Sequence, residues 1–236
     1  MKKMKLYFAL IILFISQTAY SSVVTVYSTK GRVEVRRGVS DIWKTLLVGD
    51  LLKPEDTIRT GEKAEVKLQI SQNESFTLSE FSMIDIADIR QVTKNDLLLK
   101  LAMEYIRLIP NSKPSNSNPS MTTMHGENKS LTDKTPSQAQ KEIAGEISIM
   151  RFEGAKALYR QKYFSSAILA VKSTARKFGL RDAFDAHKLV AQAFERLGLI
   201  QQAIDEYVLC SETQLIESQQ KEVDQQLSRL KELTAR

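Results

Sequence analysis

The feature that most constrains the fold of this 236-residue chain is a period-two alternation of apolar and polar residues between positions 24 and 89. The apolar positions are Val24, Val26, Val33, Val35, Ala64, Val66, Leu68, Ile70, Phe76, Leu78, Ile84 and Ile86. Successive side chains of a β-strand point to opposite faces, so this alternation predicts half-buried antiparallel strands joined by turns. We therefore expect a small antiparallel β unit over residues 22–92.

Turn glycines and a single tryptophan follow one another in this unit as a motif skeleton. It consists of a Gly-x-Val-x-Val hairpin, the tryptophan, a Gly-Asp-Leu-Leu step and an Ile-Arg-Thr-Gly turn, with the marker residues Gly31, Trp43, Gly49, Asp50, Thr60 and Gly61. The skeleton resembles the FecR-like domain, named after the extracytoplasmic sensor of iron-dicitrate signalling. The resemblance covers about residues 24–89 and implies a β domain outside the inner membrane that binds a ligand or an envelope component. We expect Trp43 to cover one end of its core, and Asp50, Glu55 and Asp56 to hold turns rather than calcium.

The N-terminus has the parts of a secretory signal. Basic residues precede an apolar run over 6–15, and small residues at Ala19 and Ser21 fit a signal peptidase. The apolar run is shorter than the roughly 20 residues that span a bilayer. Residues 1–21 are thus predicted to be cleaved before Ser22, which sends the chain to the periplasm or the exterior. The alternative is an uncleaved anchor, and only then do we expect contact with the membrane.

The net charge limits which partners the chain is expected to bind, and the cysteine content limits which chemistry it is expected to perform. Three lysines of the signal contribute to the net charge of +6, which leaves +3 over residues 22–236. That is an ordinary surface charge, so the sequence predicts no nucleic-acid partner. Cys210 is the only cysteine, and because it lies at an apolar position of a helical pattern we expect it to be buried and structural.

Composition changes sharply in the middle of the chain. Four of the five prolines lie between 110 and 138, among polar residues that bury little apolar surface, so residues 110–140 are predicted to form a flexible linker. Before it, residues 93–109 have helical periodicity with one narrow charged stripe. We expect this amphipathic helix to close the open face of the β unit, with docking to a partner or a membrane surface as the alternative.

The remaining part, residues 141–236, is predicted to be helical and contains a repeat. One stretch consists of Phe152, Ala155, Leu158, Phe164, Ala167, Ile168 and Val171, and it aligns at a spacing of 36 with Lys188, Ala191, Phe194, Ile200, Ala203, Ile204 and Tyr207. The pattern resembles the tetratricopeptide repeat over about 147–216. Gly198 occupies the turn position of the second copy, where the first copy has Lys162. The last apolar-periodic stretch, 214–233, is expected to be a capping helix.

In tetratricopeptide folds the first helix of each pair lines a groove that holds peptides, so the resemblance implies a binding face here. The residues that map to it are Phe152, Lys156, Tyr159, Arg160, Lys188, Gln192, Glu195 and Arg196. Basic and aromatic side chains together suit an acidic peptide or a C-terminal carboxylate. The alternative is a solvated face, because two repeats make a shallow groove.

No catalytic constellation stands out. His125 lies in the predicted linker, and His187 has no cysteine or second histidine at ligand spacing, so we expect no catalytic residue, metal or cofactor. The sequence predicts an α+β multidomain fold, with a FecR-like β domain followed by a tetratricopeptide-like helical domain. The functional hypothesis is an exported, non-enzymatic envelope scaffold with a protein or peptide partner and possible cell-wall contact. A membrane-anchored sensor and a cell-wall-binding accessory protein are the alternatives.

Overall fold

A computed structural model describes residues 24–108, 138–180 and 183–234 of the chain. An antiparallel β region precedes a helical region, which confirms the predicted α+β class at this level. The predicted signal over 1–21 and most of the predicted linker, residues 110–137, lie outside the described residues.

The β region consists of two four-stranded antiparallel sheets. The first has the strand order β4-β1-β6-β7 and the second the order β3-β2-β5-β8. The strands are β1 (Val24–Lys30), β2 (Val33–Arg36), β3 (Trp43–Thr45), β4 (Leu51–Leu52), β5 (Thr57–Thr60), β6 (Glu65–Ser71), β7 (Glu74–Leu78) and β8 (Met83–Asp85). A short 3-10 turn, Ile86–Asp88, follows β8.

Both sheets contribute to one core, and the alternation in the sequence identifies their inner faces. Every apolar position of the alternating pattern is buried except Ile70, which is half-buried. Because the opposite face of each strand carries the polar residues, the register is fixed: a slip by one residue would expose the entire apolar set. The prediction of half-buried antiparallel strands is therefore confirmed.

The motif residues hold the connections between strands. Gly31 has φ +70°, and a Cβ there would lie 2.9 Å from the Cα of Ala64, so both the turn and the close approach require glycine. Asp50 accepts a hydrogen bond of 3.0 Å from the amide of Leu47, and buried Asp56 accepts one of 2.9 Å from the amide of Lys53. The prediction that these two carboxylates hold turns is confirmed.

We expected Trp43 to cover one end of the core, and this prediction is wrong. The register of β2 and β3 pairs it with Arg36, whose neighbour Val35 points inward, so Trp43 lies on the outer face of the second sheet. Its half-buried ring is 4.1 Å from the guanidinium carbon of Arg59 and 5.6 Å from that of Arg36. Glu34 accepts a 2.8 Å hydrogen bond from Arg59 and fixes this guanidinium on the ring.

The described part of the chain has six α-helices. They are α1 (Lys94–Leu108), α2 (Gln138–Arg160), α3 (Phe164–Phe178), α4 (Ala183–Arg196), α5 (Ile200–Ser211) and α6 (Glu217–Thr234). Helices α2 and α3 form one antiparallel hairpin, α4 and α5 form a second, and α6 packs on α5. No helix within these described ranges is both long and apolar enough to span a bilayer.

Helix α1 lies against the helices rather than against a sheet, which corrects the predicted position. Leu97 is fully buried in the same core as the α4–α5 hairpin, and Glu104 forms a 2.7 Å ion pair with Arg176 of α3. The expectation was wrong because another element, α2, packs on the β region.

Backbone contact brings α2 against the edge of the second sheet. A Cβ on Gly154 would lie 2.1 Å from the carbonyl oxygen of Met83 in β8, a distance that only glycine permits. Beside it, Arg151 binds Asp85 through two nitrogen–oxygen contacts of 3.1 and 3.2 Å. Gly154 and Arg151 thus hold α2 against β8.

The end of α2 and the turn after it complete this interface. The side-chain amide of Gln161 accepts from the backbone amide of Thr77 and donates to its carbonyl, each at 2.8 Å, and thereby satisfies part of the edge of β7. Tyr163 packs edge-on against Phe76 and donates a 2.5 Å hydrogen bond to Glu74. Four residues of the helical region, one of them in the turn between α2 and α3, belong to the β core: Ala157, Leu158, Tyr163 and Ala167. The β region and the helical region therefore share one core.

Candidate binding face of the helical region

The two hairpins are equivalent along the chain at an offset of 36 residues. Helices α2 and α4 end at Arg160 and Arg196, and α3 and α5 begin at Phe164 and Ile200. The small residues of the repeat pattern, Ala155, Ala167, Ala191 and Ala203, are buried and allow the helices to approach closely. This packing places α2, α4 and α6 so that they can share one face.

A recess of about 350 Å³ lies on this face between α2 and the start of α4. Its lining residues include Ser148, Ile149, Phe152, Glu153, Lys156 and Leu180. The ammonium nitrogen of Lys156 lies 5.3 Å from the centre of the Phe152 ring and 2.5 Å from the carboxylate of Glu153. Two of the eight residues predicted from the sequence, Phe152 and Lys156, thus line the same recess.

Tyr159 belongs to the interior rather than to this recess. Its ring packs edge-on against Phe164, with 5.3 Å between the ring centres, and it is half-buried between the two cores. Helical periodicity placed Tyr159 on the same side as Phe152, but the turn into α3 brings Phe164 against it.

Helix α6 engages two of the predicted residues of α4. Lys188 forms an ion pair of 2.6 Å with Glu222, and Glu195 forms one with Arg229. Tyr207 also donates a 3.0 Å hydrogen bond to Glu195, and burial together with this carboxylate raises the pKa of Tyr207. Lys188 and Glu195 therefore stabilise the stacking of α6, and α6 extends the face that the sequence predicted for α2 and α4 only.

Three basic or polar residues of the predicted set remain open to a ligand. Arg160 and Arg196 are exposed at the ends of α2 and α4. Gln192 is half-buried and lies four residues before Arg196 on α4. Within the described ranges, neither arginine has an ion pair or a hydrogen-bond partner. Because a guanidinium presents a planar set of donors, the two arginines can bind carboxylates.

A second charged cluster connects the two hairpins, and little in the sequence indicates it. Glu206 of α5 is 5% exposed. Its carboxylate accepts a 2.5 Å hydrogen bond from Lys172 of α3 and one of 2.8 Å from His187 of α4. Burial alone would raise the pKa of Glu206, but the hydrogen bond from His187 and the charge of Lys172 hold it below its ordinary value. Only the 34-residue spacing of Lys172 and Glu206, shared with Lys188–Glu222 and Glu195–Arg229, could have indicated the pairing.

Other sequence predictions concern single residues. Cys210 is buried, as expected, and burial raises the pKa of its thiol to about 12, so the thiolate needed for reactivity is disfavoured. The described ranges contain no group of three or more His, Cys, Asp or Glu side chains that could hold a metal ion.

Comparisons with protein-family models, with curated proteins and with solved structures gave no match to this chain.

Proposed function

We propose that this chain is an exported, non-enzymatic binding protein of the cell envelope that holds a peptide segment of a partner protein on the α2–α4 face. The observation that carries the proposal is the 350 Å³ recess with Phe152 and Lys156, on the face where Arg160 and Arg196 are exposed. An apolar side chain of the partner enters the recess, and acidic groups or a C-terminal carboxylate bind the arginines.

The architecture supports the two family resemblances on which this proposal also depends. Two antiparallel sheets with a glycine-containing turn at Gly31 fit a FecR-like domain. Two helix hairpins at a constant offset, followed by α6, fit a tetratricopeptide-like array in which α6 adds a third face-lining helix. The shared core implies that partners of the β and helical regions are held by one body.

Binding of short synthetic peptides to residues 22–236, followed by fluorescence polarisation, tests the proposal. The peptides contain one phenylalanine and two glutamates and end in either a free carboxylate or an amide. We expect the free acids to bind more tightly, and the double variant Arg160→Glu, Arg196→Glu to weaken binding by about tenfold or more. Lys53→Glu, an exposed charge reversal on the β region, serves as the matched control and should leave binding unchanged.

Two results would contradict the proposal. Equal affinity for the acid, the amide and a peptide without glutamate would exclude recognition by the arginines. Unchanged affinity after Phe152→Ala, in a variant that melts like the original chain, would exclude the recess as the site for an apolar side chain.

Cell-wall contact is the second candidate function, and the outer face of the second sheet favours it. Trp43 and the flanking guanidinium groups of Arg36 and Arg59 form a half-exposed surface on this face. Cosedimentation of residues 22–236 with purified cell wall is expected under this hypothesis, with loss in Trp43→Ala. Sedimentation that survives Trp43→Ala would exclude this surface.

A further inference from the structure

A larger recess, of about 570 Å³, lies between α1 and the two hairpins, and the proposed peptide site does not use it. Its walls are mainly apolar and include Leu101, Val171, Ala175, Leu180, Val190 and Phe194. A volume between roughly 300 and 1,000 Å³ with apolar walls and few polar groups is typical of small-molecule sites. The size and lining therefore point to a small ligand with a substantial apolar part.

Helix α1 supplies one wall of this recess. Leu97 anchors the helix in the helical core, and the ion pair of Glu104 with Arg176 fixes it about two turns further on. Leu101 lies between these two anchors, half-buried, and faces the space in front of α3 and α4. The recess exists because α1 covers the groove between the helices only in part.

The polar groups of the recess are already oriented by protein contacts. The carboxylate of Glu206 only accepts hydrogen bonds, so Nδ1 of His187, 2.8 Å away, carries the proton. In the neutral ring, Nε2 is then a hydrogen-bond acceptor. His187 and Gln202, both lining residues, offer a ligand an acceptor and a side-chain amide beside the apolar walls.

The charges of the lining disfavour an anionic ligand. Glu104, Asp205 and Glu206 contribute three carboxylates, whereas Lys172 and Arg176 contribute two cations. Both cations are already held by carboxylates, Lys172 by Glu206 and Arg176 by Glu104. An anionic head group would have to displace one of these pairs, while an uncharged head group would not.

We propose that this recess binds an uncharged amphiphile, with its alkyl chain along the apolar walls and its hydroxyl group donating to His187. Of the lining residues, the site shares only Leu180 with the recess of the peptide face, so it can be tested without any assumption about the partner protein. It deepens the hypothesis of an envelope protein, since neutral amphiphiles are chemically suited to a compartment bounded by membranes.

Fluorescence of Nile red, an uncharged apolar dye, in residues 22–236 provides the assay, and decanol and decanoate at pH 8 are the competitors. We expect decanol to displace the dye at least about fivefold more effectively than decanoate, because the lining carries one net negative charge. In His187→Leu the dye should remain bound, whereas decanol should displace it less effectively than it does from the original chain.

Two substitutions from opposite walls locate the site. Ala175→Phe on α3 and Leu101→Trp on α1 both fill the recess and should abolish dye binding, while Ala144→Phe on the half-buried face of α2 should not. Urea unfolding curves identify a variant that fails to fold. The substitution in the opposite wall then tests whether the dye binds in this recess. Dye binding that persists in both folded variants, or equal displacement by decanol and decanoate, would overturn the proposal.

Discussion

The two helix hairpins have the same internal design but different neighbours, and this difference explains how the molecule is assembled. The α2–α3 hairpin packs against the β region, whereas the α4–α5 hairpin packs against α6. Equivalent residues Ala155 and Ala191 are buried in both. The repeated positions thus specify the hairpin itself, and the positions that break the repeat specify what each hairpin packs against.

Gly154 is the clearest break in the repeat. Its equivalent in the second hairpin, 36 residues later, is Val190, which is buried among helices. Glycine in the middle of a helix costs about 1 kcal/mol relative to alanine, so its presence there indicates a requirement from packing. The requirement is the carbonyl group of Met83 in β8, which occupies the space where a side chain would lie.

Gly154→Ala is the change with the largest expected effect on this comparison. A Cβ would lie 2.1 Å from the Met83 carbonyl oxygen, so α2 and β8 must separate. We expect the free energy of unfolding to fall by at least about 2 kcal/mol, because overpacking against backbone cannot be relieved by a side-chain movement. Urea titration measures it. Gly145→Ala in the same helix, with nothing within 4 Å, should be neutral or stabilising, and similar losses in both variants would contradict the interpretation.

The second prediction concerns Glu206, whose contacts with Lys172 and His187 link the two hairpins. Glu206→Gln leaves the partly buried Lys172 and His187 without a carboxylate, so we expect a loss of about 2 kcal/mol at pH 7. Since the pKa of Glu206 is lowered by folding, its contribution is present above the ordinary pKa near 4.5 and is lost as the pH falls through the folded value. Stability measured between pH 7 and pH 3 should therefore decline less steeply in the variant. Glu232→Gln, an exposed control, should follow the original curve.

The contact between the first hairpin and the β region contains a carboxylate with the opposite behaviour. Burial, and then the charge of Asp85, raise the pKa of Asp88 from 3.8 to about 6, against the opposing charges of Arg151, Arg90 and Lys177. A raised carboxyl pKa means that the protonated form is favoured by folding, so this stabilisation is complete below about pH 4 and is lost as the pH rises through 6.

Asp88→Asn should consequently stabilise the chain at neutral pH. We expect a gain of about 1–2 kcal/mol at pH 7.5 and almost none at pH 4, because asparagine avoids burial of the charge. Urea titrations at the two pH values measure the difference. A variant that gains equally at both values would show that the effect comes from a new hydrogen bond rather than from the ionisation of Asp88.

Sequence reasoning succeeded where the pattern is local and failed where the contacts are distant. Alternation identified the inner residues of both sheets, since one face of each strand must be buried for the sheets to pack. Alternation and helical periodicity could not place α1, because the surfaces that compete for an amphipathic helix are far away in the chain. Gly154, in the middle of a helix, is a local indication that another backbone comes close at this position. The repeat alignment did not include it.

The same limit applies to the candidate sites. Phe152 and Lys156 line a recess because both lie on one face of one helix, a relation that helical periodicity contains. His187, in contrast, acquires its role from Glu206 on the next helix and Lys172 on the previous one. Three residues on three helices form no motif in the sequence, so only the fold brings them together.

The turns of the two hairpins offer the smallest and most closely matched test. Lys162 has φ +69° and Gly198 has φ +70°, and both turns have the same two backbone hydrogen bonds, from residue 162 to 159 and from 163 to 158 in the first hairpin. This pattern is a helix C-terminal motif that favours glycine. The first hairpin thus uses a residue that has to adopt a left-handed conformation at a cost.

Lys162→Gly should stabilise the chain by about 0.5–1 kcal/mol, and Gly198→Ala should destabilise it by about 1 kcal/mol, because only glycine adopts a positive φ without strain. Lys162→Ala, which removes the side chain but keeps the Cβ, is the control and should give no gain. Thermal and urea unfolding measure all three. A loss of stability in Lys162→Gly would mean that the lysine side chain, rather than the backbone conformation, determines this position, and that the two turns are equivalent in geometry but not in energy.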